Sequence, residues 1–136
     1  MWHFKRFLLA WWPTAAVVAL ILYAVLTPNP PQPEGLKLFD GADKVVHACM
    51  MATLMAVAVF DRRRAGLPCR MAGIAVVALW VMAFGVITEI MQGTMTDVRS
   101  ADPADVCADW AGTILTAAAA YFLLRAGADH SASRTS

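Results

Sequence analysis

Four long apolar runs, set apart by short segments that hold most of the charge, leave this chain very few folds. They are Phe7 to Leu26, Val45 to Phe60, Met71 to Ile90 and Val106 to Leu124. A helix of about 20 residues crosses the roughly 30 Å hydrocarbon core of a bilayer, and about 17 suffice where the membrane thins or flanking residues snorkel. The second run reaches that length if Asp43 and Lys44 start its helix. Backbone polar groups cannot be left open in lipid, and the residue alternation of a membrane barrel is absent, so helices remain. With 60% apolar and 15% charged residues, a soluble domain of 136 residues could not hide this much apolar surface. The expected fold class is all-α: one membrane domain over 1–136, a polytopic four-helix transmembrane bundle, with a flexible tail at 127–136.

Lys5 and Arg6 precede the first run as they would in a secretory signal. That run is longer than a signal core, and no A-x-A site precedes Thr27-Pro28, so it reads as a retained helix with Pro13 near its first turn. Basic residues then set direction. Lys5 and Arg6, the cluster Arg62, Arg63, Arg64 and Arg70, and Arg125 and Arg134 occupy alternate connections, which places both termini in the cytoplasm. The arginine run also suits anionic inner-leaflet lipid. Eight of the ten acidic residues fall on the other side. That side begins with PNPPQP, a stiff extended stretch, and Glu34 to Asp40 then reads as a short turn or an interfacial segment resting on Leu36, Leu38 and Phe39. Trp11 and Trp12 read as interfacial anchors, and Trp80 as packing between helices. Cys49, Cys69 and Cys107 form no CxxC and cannot all pair internally, so buried reduced thiols are expected. Nothing in the charge pattern points to nucleic acid.

Apolar runs and topology leave one group of residues unexplained, at the outer ends of the last three spans. Asp43, Lys44 and His47 open the second helix on one face. Glu89 and Gln92 lie three apart where the third ends, and Asp105, Asp109 and Gly112 form a stripe where the fourth begins. Because the spans alternate direction, all reach one depth. Ionisable groups there are costly unless they pair, bind water or face a cavity. Glu89 could serve as counter-ion to Lys44 or Arg99. Asp102-Pro103-Ala104-Asp105 has the order of an N-cap, a proline at the first helical position and an acid in the first turn, so Asp102 reads as structural.

The fragments DKVVH (Asp43 to His47), TEIMQ (with Glu89 and Gln92), Arg99 and DVCADWAG (Asp105 to Gly112) resemble the VanZ-like family of small bacterial membrane proteins. The resemblance runs from about Phe39 to Leu124. It implies site positions at Asp43, Lys44, His47, Glu89, Gln92, Arg99, Asp105, Asp109 and Gly112. Asp109 departs from the family pattern, which has asparagine there, and so adds a negative charge. The resemblance also implies a bacterial cytoplasmic (inner) membrane protein connected with the response to glycopeptide antibiotics.

Lys44 and Arg99 at headgroup level suit a phosphate, pyrophosphate or carboxylate. The expected partner is therefore a membrane lipid or a lipid-linked envelope precursor, held at the extracytoplasmic face by Asp43, Lys44, Gln92, Arg99 and Asp105. Gly112 would let the third or first helix close the site. An enzyme acting on a phosphate-bearing lipid would use His47 with Glu89 or Asp109 for proton transfer. A structural or partner-interaction protein is a further alternative, whereas transport fits poorly with polar groups at one end only. No cofactor is assigned. A divalent ion gathered by His47 with Glu89, Asp105 or Asp109 is reachable in ligand number, but no tight motif demands it, so no metal ligand is assigned.

Overall fold

The computed structural model describes residues 9–27, 41–95 and 100–133, with side chains as far as residue 127. The N-terminal Lys5 and Arg6, the PNPPQP loop with its interfacial turn, and Arg99 lie outside these residues. The described chain is all-α. Its four long helices are α1 (Trp12–Leu26), α2 (Ala42–Arg64), α3 (Met71–Met95) and α4 (Pro103–Ser133).

Local chemistry sets the helix ends. Pro13 lies in the first turn of α1, and the backbone bends just before it, at Trp11 (φ −98°, ψ 4°). A proline ring clashes with the carbonyl four residues back, here that of Leu9, so the preceding helical turn at Leu9 and Ala10 cannot run straight into α1. Thr27 leaves the helix in an extended conformation (φ −74°, ψ 121°), as a residue before proline must. Gly41 precedes α2 at φ +91°, a conformation that an L side chain resists, and its carbonyl receives the Lys44 amide at 3.1 Å. Arg62, Arg63 and Arg64 fill the last turn of α2, where cations complement the helix dipole.

At 1.5 Å per residue, the 23 residues of α2 span about 34 Å, enough for a hydrocarbon core. Helix α3 and the Pro103–Gly127 part of α4 have 25 residues each and also qualify, giving three candidate membrane spans. The 15 residues of α1 reach only about 22 Å. Helix α4 continues past the apolar run that ends at Leu124 and into the segment expected to be a tail.

Helix α2 is the hub. It contacts α1, α3 and most extensively α4, whereas α1 and α4 do not touch among the described residues. Its buried stripe of His47, Met51, Leu54, Met55, Ala58 and Asp61 recurs every three or four residues. Ile74, Val77 and Val81 of α3 and Ile21 and Val25 of α1 complete the apolar core. The outside is also apolar: Leu115 and Leu123 are 71% and 74% exposed, with Leu20, Leu79 and Phe122 similarly bare. Such a surface suits lipid rather than water. Thr53, Thr94 and Thr113 turn their hydroxyls back to carbonyls four residues earlier, which satisfies those hydroxyls within their own helices.

Two expectations about packing need correction. Trp80 is not enclosed between helices; it is 46% exposed and stacks on Phe84 at 6.1 Å. Nor are the thiols buried. All three are unpaired; Cys69, between α2 and α3, is half-buried, and Cys49 and Cys107 are exposed because the stripes facing inward on α2 and α4 pass through His47 and Asp109 instead.

Candidate functional site

One end of the bundle gathers the start of α2, the end of α3 and the start of α4. Lys44 and His47 lie three residues apart on α2, on the side facing α4. The Lys44 ammonium lies 3.2 Å from Asp102 Oδ2, 3.3 Å from Asp105 Oδ1 and 3.4 Å from Asp43 Oδ2. Asp43 is thereby placed at the exposed rim and, among the described residues, touches the cluster only through Lys44.

Below this layer the cluster is closed. His47 Nδ1 lies 3.2 Å from Asp109 Oδ1, and its Nε2 lies 3.9 Å from Asp105 Oδ2. Asp109 is fully buried, and its Oδ2 has no hydrogen-bond partner among the described residues. Gly85 of α3 makes room for it, since a Cβ there would come within 2.9 Å of that oxygen. Glu89, also buried, accepts the Asp102 amide on Oε2 at 2.9 Å. His47, Glu89 and Asp105 each bring one donor atom into a group spanning no more than 4.8 Å.

Asp102 has two tasks. Its Oδ1 accepts the Ala104 amide at 2.9 Å, capping α4, while its Oδ2 takes Lys44. The Ala104 amide first, and then Lys44, hold its carboxyl below the ordinary carboxylate range. The Gln92 amide donates to the Val25 carbonyl at 3.3 Å, meeting an acceptor in the last turn of α1 that lacks an intrahelical partner. Gly112 is fully packed, but the helix it admits is α2 rather than the first or third. A Cβ there would overlap the Ala48 carbonyl oxygen, so α2 and α4 touch backbone to backbone. The expectation failed because spacing along α4 gives the face of Gly112 but not the helix opposite it. Arg99 falls outside the described residues.

Two further tethers join the helices, neither marked by helical spacing. At the opposite end, fully buried Asp61 accepts the Thr14 amide at 2.9 Å and its hydroxyl at 2.7 Å, with Arg64 Nη1 3.7 Å from its other oxygen. Asp61 thus caps α1 from α2, meeting one of the amides that every helix start leaves open. An acid beside three arginines looks solvated; the clue was Thr14 directly after Pro13. Trp110 Nε1 donates to the Met82 carbonyl at 3.3 Å, joining α4 to α3.

Comparison of the chain with protein-family models, curated proteins and solved structures gives no significant match.

Proposed function

We propose that this chain is a four-span protein of the bacterial inner membrane that binds the polar head of a phosphate-bearing lipid, either a phospholipid or a lipid-linked envelope precursor, at its extracytoplasmic face. The observation that carries this reading is the cluster of Lys44, His47, Glu89, Asp105 and Asp109, drawn from three apolar helices to one end of the bundle. Ionisable groups at such a place mark functional sites. The Lys44 side chain is 39% exposed at the mouth, where an anionic head would meet it while acyl chains stay in lipid. Arg62, Arg63 and Arg64 at the opposite end of α2 favour a cytoplasmic location for that end by the positive-inside rule. Counting α1 as the fourth span, both termini are then cytoplasmic. The resemblance to VanZ-like proteins, and a role in the glycopeptide response, belong to the same proposal.

A second reading is a membrane enzyme acting on that lipid. It is favoured by the His47–Asp109 pair, in which a buried carboxylate fixes the imidazole as a general base requires.

Purification of the protein with His47→Ala, Glu89→Ala and Arg99→Ala variants, with mass-spectrometric identification of bound lipid, tests both readings. A defined lipid lost from the folded variants is the expected result, and its turnover by wild type alone marks an enzyme. A wild-type protein without bound lipid, whose variants all unfold, would overturn both and leave a structural or partner-binding role.

A further inference from the structure

We infer that His47, Glu89 and Asp105 form a site for a divalent transition-metal ion of the Zn2+ class. Each supplies a donor atom, and the three atoms lie within 4.8 Å of one another. Bonds of about 2.1 Å in a tetrahedral shell set neighbouring donors about 3.4 Å apart. His47 Nε2 and Asp105 Oδ2, at 3.9 Å, are within about half an ångström of that spacing. The other donors lie within 4.8 Å, so an ion would draw them together by up to about 1.4 Å.

Each donor is already held by a supporting contact. With Asp109 ionised and the imidazole neutral, His47 Nδ1 donates to Asp109 Oδ1, and this leaves the lone pair on Nε2. A carboxylate, an imidazole and then an ion is the recurring order in zinc sites. Asp105 gives Oδ1 to Lys44 and turns Oδ2 toward His47. Glu89 is anchored by the Asp102 amide.

Charge supports the same assignment. Among the described residues the cluster contains Asp43, Glu89, Asp102, Asp105 and Asp109 against Lys44 and His47. Asp109 is wholly buried with one oxygen lacking any hydrogen bond among those residues, a costly state in an apolar bundle. A dication held by His47, Glu89 and Asp105 would reduce the negative excess of the cluster. The imidazole donor favours Zn2+-like ions over Mg2+ or Ca2+, and three protein ligands leave a coordination position for water or an anion. Metal binding does not depend on the lipid reading, so the two fail separately.

The test uses the full chain in detergent, stripped with chelator and titrated calorimetrically with Zn2+. One ion per chain is expected. Glu89→Gln keeps an acceptor for the Asp102 amide and Asp105→Asn keeps its volume; each should weaken binding by roughly tenfold or more. A triple variant, Cys49→Ser with Cys69→Ser and Cys107→Ser, should bind as wild type does. Should the first two variants fail to fold, wild type still answers, because Zn2+ must move the His47 Nε2 nitrogen resonance. Absence of stoichiometric binding, an unmoved resonance, or binding lost in the triple variant but kept by Glu89→Gln would overturn the assignment.

Discussion

Replacing Gly112 by alanine should weaken the bundle more than one methyl group suggests. An added Cβ would overlap the Ala48 carbonyl oxygen and lie 2.9 Å from its carbon and 3.0 Å from its Cα. All three atoms are backbone of α2, so no rotamer change relieves the overlap and the two helices must part. Overpacking of a tight interior costs about 1–3 kcal/mol, and a clash with unyielding backbone belongs at the upper end, about 2–3 kcal/mol. That is a roughly 30- to 160-fold loss in the folding equilibrium. Separation would also stretch the 3.2 Å His47–Asp109 and 3.3 Å Lys44–Asp105 contacts, one and two turns away. The assay is reversible unfolding in mixed micelles, followed by tryptophan fluorescence, with Gly127→Ala as control because nothing lies within 4 Å of that site. Equal stability of Gly112→Ala and wild type would refute the backbone contact between α2 and α4.

Asp61→Ala should cost about 1–3 kcal/mol, since it strands the Thr14 amide and hydroxyl inside the protein; Asp61→Asn, which keeps an acceptor, should cost less, and the same unfolding assay distinguishes them. A double-mutant cycle on His47→Gln and Asp109→Asn should yield a coupling of at least about 0.5 kcal/mol, and additive effects would show that the pair is not a unit. Asp102 contributes stability above the unfolded carboxylate range and loses it as pH falls through its lowered folded value. Its carboxyl carbon resonance should therefore titrate below that of an ordinary aspartate. Intact mass after alkylation without reductant should show three modified thiols per chain, and a mass two units low with one thiol modified would reveal a disulfide.

The helices and their stripes were legible because hydrophobic runs and three- or four-residue spacing follow directly from helix geometry. His47 on α2 and Asp109 on α4 could each be placed on a polar stripe, and the shared depth of the helix ends brought them to one level. Which helix faces which is not encoded in that spacing. Gly112, expected against the first or third helix, has α2 as its neighbour. Asp61 was hidden for another reason: its partner is an amide, and an open backbone N–H at a helix start has no residue type to signal it. Cys49 and Cys107 were misplaced because small apolar residues pack well inside a protein but also sit well against lipid.

The most direct test of a headgroup site is the phosphorus bound to the purified chain after exhaustive detergent exchange. The proposal predicts about one lipid phosphorus per wild-type chain for a phospholipid, or about two for a pyrophosphate-linked precursor. That signal should vanish in folded Lys44→Gln and persist in Asp61→Asn. A folded wild-type protein carrying no phosphorus, or a signal indifferent to Lys44, would contradict it.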